Sequence, residues 1–302
     1  MSEERRQAWL IAAHGGFEQL KALLSLLDDE LSDIYLHMDR KARGFREADF
    51  TAAVRRGRIF FVPRLRASWG SARFIDVMLS LLRAAAATPH QYYHLLSGAD
   101  LPLWPQKTIR AFFAAHDGEE FMSYDSVPVR RDVLHYRLGI YQPVYQLNLS
   151  GRPARFLNRV TEKIQTLLQV DRLRRCDLVF QKGSLWFSVT QAFADYALAQ
   201  APAYRPRFRL SACGDEMFFH SIMAGSPFDA RRHRPELHGD PGAAMRYIDW
   251  ARGNGSSPHT FTLEDYDTLA ARPELFARKF DARRDPALFE RMIALVRARE
   301  VS

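Results

Sequence analysis

The first 126 residues alternate between short apolar segments and segments of helical periodicity, and this alternation limits the fold more than any other feature. Apolar segments predict β-strands at residues 9–13, 34–37, 59–62, 92–96 and 121–124. Between them, apolar residues recur every three or four positions, as at Phe17, Leu20, Leu23, Leu24 and Leu27. Strands that alternate with helices form mostly parallel sheets with helices on both faces. We therefore predict an α/β fold of this kind.

The pattern changes at residue 127. Residues 127–180 are rich in arginine and tyrosine, and a stretch near 154–168 has helical spacing. This segment predicts a helical insertion over one side of the sheet. A strand at 181–188 and further helices follow. We expect one domain over residues 1–302, made of a half at 8–126, the insertion at 127–180 and a half at 181–302.

The composition excludes several classes of protein. No run of about 18 apolar residues occurs, and residues 1–6 lack the apolar core of a signal peptide, so we expect neither a membrane span nor a leader. Two cysteines are too few for a disulfide scaffold and favour a reducing cytoplasm. The net charge of +8 favours an anionic partner such as a nucleotide, a nucleic acid or a membrane surface, although an arginine-rich composition also follows from a GC-rich genome.

Polar residues follow three of the predicted strands. They are His14, Asp39 and Asp100. Because ligands of open α/β sheets bind at the carboxyl ends of the strands, we predict a binding site there. No Gly-x-Gly-x-x-Gly follows the first strand and no Walker loop occurs, which argues against a dinucleotide enzyme or a P-loop nucleotidase.

Two adjacent carboxylates, Asp215 and Glu216, lie in an otherwise apolar run. The apolar residues at 217–223 have helical spacing and predict a buried helix face, with Asp215 as the helix cap. Glu216 would then lie in the first turn, where aromatic neighbours favour the raised pKa of a general base. The alternative is that both carboxylates only complement the helix dipole.

Seven motifs occur in an order that resembles one enzyme family. They are His37-Met38-Asp39-Arg40-Lys41, Ser68-Trp69-Gly70, Leu96-Ser97-Gly98-Ala99-Asp100-Leu101-Pro102, Gly183-Ser184-Leu185-Trp186-Phe187, Asp215-Glu216-Met217-Phe218-Phe219, Arg246-Tyr247-Ile248-Asp249-Trp250 and Phe276-Ala277-Arg278-Lys279-Phe280-Asp281. Together they resemble the core-2/I-branching β-1,6-N-acetylglucosaminyltransferases, which include the peptide O-xylosyltransferases (glycosyltransferase family 14). The resemblance extends from about residue 8 to residue 281.

The resemblance implies a glycosyltransferase A-type fold, a nucleotide-sugar donor bound by the 8–126 half, an inverting reaction and no divalent metal. The residues themselves also argue against a metal. The second strand ends in a single carboxylate, Asp39, where a metal-binding Asp-x-Asp would be expected. We therefore expect neither metal nor cofactor. By resemblance, Arg278 and Lys279 contact the donor diphosphate; the alternative is a solvated basic surface.

By resemblance, Glu216 is the base that takes the proton of the acceptor hydroxyl, and Asp100 lies near the reacting centre. In the xylosyltransferase-like branch the matching aspartate can itself be the base, and Asp100 can also be a turn residue before Pro102. The resemblance further places Asp39 on the uridine, with the strand end at Ala13 and His14 against the base.

Sugar-binding candidates are Trp186, Trp250 and Asp215, although tryptophans in apolar runs are as often in the core. The family places an arginine on the phosphates where this chain has Ser256, so we expect Arg278, or Arg252 after a loop shift, to substitute. Animal members carry a membrane anchor and several disulfides, so we expect a bacterial member.

These observations predict a transferase that uses a UDP-sugar, with N-acetylglucosamine preferred to xylose, and a glycan acceptor of a surface polysaccharide. An anionic or lipid-linked acceptor near the inner membrane would contact the basic insertion at Arg130, Arg131, Arg137, Arg152, Arg155 and Arg159, unless this is only a solvated face. The rival is a non-catalytic glycan- or nucleotide-binding protein, which needs neither Glu216 nor Asp100. No motif supports a nucleic-acid partner.

Overall fold

The structure is a computed structural model, and it describes residues 5–147, 149, 151–174 and 176–301. The expectation about a leader falls in part on residues 1–4, which lie outside the described residues. No helix in the described part of the chain is long and apolar enough to cross a membrane.

The first half of the chain alternates strands and helices as predicted. Its elements are β1 (Gln7–Ala13), α1 (Phe17–Leu27), β2 (Ser32–Met38), α2 (Glu47–Thr51), β3 (Arg58–Phe61), α3 (Arg73–Ala85), β4 (Tyr92–Ser97), β5 (Asp100–Pro102) and α4 (Gln106–Ala115). The turn from β1 to α1 passes through Gly16 at a φ of 64°, a conformation that glycine adopts without steric cost. The strand ends therefore open directly into loops at one edge of the sheet.

The insertion and the second half complete the chain. The insertion contains α5 (Arg131–Leu134), a π-helical turn (His135–Gly139), a 3-10 turn (Pro143–Gln146) and α6 (Gly151–Leu167). The second half contains β6 (Ser188–Thr190), α7 (Gln191–Tyr204), α8 (Phe218–Ala224), β7 (Arg246–Ile248), α9 (Tyr266–Ala270), β8 (Phe276–Arg278) and α10 (Pro286–Val301). The predicted helical insertion is thus present.

Two sheets organise these elements. The larger sheet has the strand order β3-β2-β1-β4-β6, in which the first four strands are parallel and β6 is antiparallel to β4. The smaller sheet has the order β5-β8-β7, with β5 and β8 antiparallel. The predicted mostly parallel sheet is confirmed.

Helices cover both faces of the larger sheet. Alternate residues of β1 point to opposite faces, so Leu10 packs with α3, α7 and α8, whereas Ile11 packs with α1, α4 and α10. Because β1 is central, its seven residues are all buried, which explains why its sequence is continuously apolar after Gln7.

Two predicted strands are wrong in extent. Residues 121–124 form only isolated bridges, and of the predicted strand at 181–188 only Ser188 belongs to β6. Phe121 and Ser188 exchange two backbone hydrogen bonds of 2.9 and 3.0 Å, and Tyr124 bridges Gly183. Residues 121–124 and 186–188 are buried, and burial alone does not require a continuous ladder.

Asp33, near the start of β2, joins the amino-terminal ends of four strands. Its buried carboxylate accepts hydrogen bonds from Arg6 (2.6 Å), His90 (2.9 Å) and Arg58. Burial would raise the pKa of this carboxyl, but the hydrogen bonds from His90, Arg58 and Arg6 outweigh it and hold the pKa well below its usual range. The end of the sheet opposite the predicted site therefore depends on one ionised carboxylate.

We predict that Asp33→Asn lowers the free energy of unfolding by about 3–5 kcal/mol, because it leaves two guanidinium groups without their anion. The stabilisation is present above the pKa that Asp33 has in the unfolded chain and is lost as the pH falls through its folded value. Urea unfolding at pH 7 and pH 3 measures both effects. Asp49→Asn, at a half-buried carboxylate that pairs with the exposed Arg46, is the control, and an equal effect of both substitutions would contradict the role of Asp33.

Candidate active site

The carboxyl ends of β1, β2 and β4 meet at one edge of the sheet. Ala12 is opposite His37 on one side and Ser97 on the other, and the backbone N–H of Asp39 donates to Ala13 O at 2.8 Å. The residues that follow each strand are therefore neighbours, as the sequence predicted.

Asp39 is buried and serves its own loop. Its Oδ1 accepts the backbone N–H of Lys41 at 2.7 Å, and its Oδ2 accepts that of Ala67 at 3.0 Å. Arg64 also donates to the backbone oxygen of Asp39 at 2.9 Å. Asp39 thus fixes the shape of the loop that borders the edge of the sheet, and it retains lone pairs for a ligand.

His14 shows that the two ends of the chain meet at this edge. Desolvation of its ring, followed by the positive charge of Lys279, lowers the pKa of His14, and the charge of Asp39 opposes the shift. The positive charges of Lys41 and Arg278 also lower this pKa. The predicted nucleotide-binding residues from both halves of the chain therefore share one electrostatic environment.

The backbone around β8 places Lys279 beside the end of β4. Phe280 N donates to Ala99 O, and Phe261 N donates to Lys279 O, both at 2.9 Å. Within the described residues the Lys279 ammonium makes no ion pair, and its nearest polar contact is Ser257 Oγ at 3.5 Å. This cation is available to an anionic ligand.

Arg278 lies opposite Asp100 in the β5–β8 pair and is held between two side chains. Its guanidinium lies 4.0 Å from the centre of the Trp186 ring, and its Nε lies 3.6 Å from Asp100 Oδ1. Burial lowers the pKa of Arg278, and the Asp100 charge acts in the opposite direction. The other oxygen of Asp100 accepts hydrogen bonds from the backbone N–H and the hydroxyl of Ser97. Asp100 is therefore both a turn residue and the counter-ion of Arg278.

Glu216 is the more accessible of the two candidate bases. Its side chain is 29% exposed, its Oε2 accepts a 2.7 Å hydrogen bond from Arg137, and Lys182 Nζ lies 3.5 Å from the same oxygen. Two cations thus hold this carboxylate in place.

A short segment connects Glu216 to Arg278. Gly183 N donates to Glu216 O at 3.0 Å, and Trp186, three residues later, carries Arg278 on its ring. A Cβ atom at Gly183 would lie 1.8 Å from Ser123 O, so only glycine fits there. Three residues span at most about 11 Å, so the segment holds Glu216 near the β5–β8 pair.

Asp215 does not cap a helix, which corrects the prediction. Gly214–Glu216 forms a 3-10 turn, and α8 begins only at Phe218. Asp215 Oδ1 is buried without a hydrogen-bond partner in the described structure. Burial, and then the charge of Glu216, raise the pKa of Asp215 to about 7. The residue that precedes α8 is Met217, so Asp215 lies too early in the chain to cap this helix.

The two candidate tryptophans differ in exposure. Trp186 is only 8% exposed because it packs on Arg278. Trp250 is 47% exposed and lines a shallow cavity of about 520 Å³ together with Tyr247 and Asp249. Arg252 donates to both Asp249 and Asp265 at 2.5 and 2.7 Å, so it is already committed to two carboxylates.

A family model described as Core-2/I-Branching enzyme matches residues 8–272. The chain belongs to this family. It is a glycosyltransferase, and the family resemblance is confirmed over a range that contains six of the seven motifs. The matched range ends before Arg278 and Lys279.

No curated protein matches the chain. Among solved structures, it is similar to mouse xyloside xylosyltransferase 1 in its apo form, with 12% sequence identity and a TM-score of 0.36, over 90% of this chain and 96% of that chain. Similarity at this level supports no inference about donor or acceptor.

Two residues that border the candidate site, Lys182 and Trp69, were not assigned a role by the sequence analysis. Lys182 contacts Glu216, and Trp69, which is 69% exposed, lies against Tyr145 with ring centres 6.3 Å apart. Gly70 O accepts the backbone N–H of Cys213 at 2.7 Å, so the Trp69 loop borders the turn that carries Glu216. The sequence shows the motif that contains Trp69, but the positions of its residues do not indicate that the Trp69 ring is exposed to solvent.

A potential metal-ligand cluster lies away from this enzyme's site. Among the described residues, the side-chain donors of His116, Glu119 and His233 lie within 4.8 Å of one another. Tyr92, the first residue of β4, donates to His116 O at 2.6 Å, which places the cluster at the amino-terminal end of the sheet. A metal there would not reach the candidate donor residues at the opposite edge.

We predict that Asp215 makes stability depend on pH near neutrality. Its folded pKa of about 7 is raised, so the folded chain holds its proton more tightly than the unfolded chain, and stability falls as the pH rises from about 4 to about 7. Asp215→Asn cannot ionise, so its unfolding free energy relative to wild type should increase between pH 5 and pH 8 in urea titrations. Asp117→Asn serves as the control. A difference between Asp215→Asn and wild type that does not change with pH would contradict the assignment.

Proposed function

We propose that the enzyme transfers a sugar, N-acetylglucosamine in first place, from a UDP-sugar to a hydroxyl of a glycan acceptor, with inversion and without a metal ion. The observation that carries this proposal is the meeting of His14, Asp39 and Lys279 at the carboxyl ends of β1, β2 and β4. The short segment from Gly183 to Trp186 connects this edge, through Arg278, to Glu216. UDP-xylose is the second candidate donor. A non-catalytic binding protein would not need an accessible carboxylate beside the cations.

The donor would lie along this edge. Uridine would rest against Ala13 and His14 with Asp39 accepting a hydrogen bond, and the diphosphate would meet Lys279. Arg278 is buried on Trp186. It therefore contributes positive charge near the diphosphate and not the paired N–H donors of an exposed guanidinium. One carboxylate at the end of β2 is too few to hold a divalent cation, so the two cations replace it.

Glu216 is proposed as the base. As the acceptor hydroxyl oxygen bonds to the anomeric carbon, the bond to the diphosphate oxygen breaks, the hydroxyl proton passes to Glu216, and the negative charge leaves on UDP beside Lys279. Asp100 is proposed as a positioning residue, because both of its oxygens are engaged by Ser97 and Arg278.

The acceptor would approach from the side of the insertion. Trp69, with Tyr145 behind it, offers an exposed aromatic face next to the Glu216 turn, and such faces pack against sugar C–H groups. Arg137 from the insertion holds Glu216 itself. We propose a surface glycan, in its lipid-linked form, as the acceptor.

Lys279→Met should weaken UDP binding about 10- to 100-fold, because one charge-assisted hydrogen bond to the diphosphate contributes about 1.5–3 kcal/mol. Isothermal titration with UDP in EDTA measures the change. Arg283→Met removes a nearby exposed cation and should leave the affinity unchanged. An equal loss of UDP affinity in the two variants would mean that Lys279 acts only through the net charge of the protein and does not contact the diphosphate.

Glu216→Gln should lower UDP release from UDP-N-acetylglucosamine in EDTA by about 10²–10⁴-fold, with UDP affinity unchanged. Asp100→Asn should instead tighten UDP binding, because it removes the negative charge that partly neutralises Arg278. The same assay with UDP-xylose and UDP-glucose identifies the donor. Loss of turnover in Asp100→Asn with normal UDP binding would make Asp100 the base, and turnover that requires added Mn²⁺ would refute metal independence.

A further inference from the structure

Helix α6 turns its apolar side to solvent. Phe156 is 66% exposed and Leu167 is 83% exposed. The exposed apolar side chains of this helix and the residue after it are Phe156, Leu157, Val160, Ile164, Leu167 and Leu168. At 3.6 residues per turn they form one stripe of roughly a third of the circumference. An apolar stripe normally faces the core, so this orientation needs an explanation.

The opposite side of α6 is small and polar, and it is the side that packs on the protein. Ala154 and Gln165 are buried there. The Gln165 amide accepts the backbone N–H of Tyr141 at 2.7 Å and donates to Tyr141 O at 2.8 Å. Rotating the helix to bury its apolar stripe would break both hydrogen bonds, so these contacts specify which side faces out.

A row of cations runs beside the apolar stripe. The row consists of Arg152, Arg155, Arg159 and Lys163, all exposed. In the part of the chain that the structure describes, none of these four side chains makes an ion pair. The insertion at 127–180 contains ten basic and four acidic residues, so it carries +6 of the net charge of +8.

We propose that α6 is a docking surface for an anionic membrane, into which its apolar stripe inserts while its basic row contacts lipid phosphates. A helix with an apolar stripe flanked by Arg and Lys lies in the plane of a bilayer interface, with its apolar side in the acyl boundary. Anionic headgroups complement the basic row, and each cation near such a surface adds to binding.

A second copy of the chain fits this surface less well. A two-fold contact through the apolar stripe would bring the same face of both copies together. If the two helices are antiparallel, the four cations of each row approach those of the other copy without counter-ions, and if they are parallel, neither row gains a counter-ion from the apolar stripe that it faces. An anionic bilayer covers the apolar stripe and neutralises the row together.

The insertion also connects this surface to the site. Gln165 of α6 is hydrogen-bonded to Tyr141. In the sequence, Tyr141 stands between two residues that reach the candidate site. Arg137 is hydrogen-bonded to Glu216, and Tyr145 packs on Trp69. Membrane docking would therefore present a lipid-linked acceptor on the side of the proposed base. This link rests on the proposed function, whereas membrane binding itself does not.

Flotation of the full chain with vesicles tests the proposal. Wild type should bind vesicles of phosphatidylcholine with 30% phosphatidylglycerol and not vesicles of phosphatidylcholine alone. The triple variant R152E/R155E/R159E should bind the anionic vesicles at least about 100-fold more weakly. Leu167→Ser should bind about 5- to 10-fold more weakly, because it removes apolar area from the interface.

Matched controls separate this surface from general charge and from loss of activity. R55E/R83E/R297E carries the same change in charge on other exposed arginines, and Leu263→Ser changes an exposed leucine elsewhere; both should bind vesicles as wild type does. UDP affinity of the α6 variants should stay unchanged, which keeps a failure of docking distinct from a failure of the donor site. Three results would overturn the proposal. The first is an equal loss of binding in the R55E/R83E/R297E control, and the second is binding to neutral vesicles alone. The third is a dimer that Leu167→Ser dissociates, without any vesicle binding.

Discussion

The pairing of β8 with β5 is the interaction on which the site depends. It brings Arg278 opposite Asp100, the first residue of β5, although the two are far apart in the chain, and it leaves Lys279 beside the loop after β4. Trp186 then covers the guanidinium, so Arg278 contacts side chains from both halves of the chain. Without this pairing, the parallel sheet would present only one half of the proposed donor site.

The neighbouring carboxylates Asp215 and Glu216 show how environment separates chemically similar groups. Glu216 contacts Arg137 and Lys182 and is partly exposed, whereas one oxygen of Asp215 is buried without a partner and its pKa is raised to about 7. Pairs of titratable groups whose surroundings differ in this way are typical of sites where one group exchanges a proton and the other does not. Because Arg137 belongs to the insertion, this segment supplies a contact to Glu216 as well as the exposed surface of α6.

The sequence predicted the sheet, the insertion and the family well, because each depends on local signals. Apolar periodicity identifies strands and helices, and seven ordered motifs identify a family even where each is weak. The sequence predicted less of the site. It assigned Trp186 to sugar binding with core packing as the alternative, and the ring carries Arg278; it made Asp215 a cap, and the carboxylate has no such contact.

The sequence by itself determined which residue types alternate, which motifs occur and which side chains share a side of α6. Only the tertiary structure decided which of those sides is buried, which cation stays free and which carboxylate is accessible. The physical reason is that periodicity reports neighbours within one element, whereas burial and ion pairing depend on segments far apart in the chain. Arg252 and Lys279 look alike as exposed cations in sequence, yet Asp249 and Asp265 engage the first and no described carboxylate engages the second.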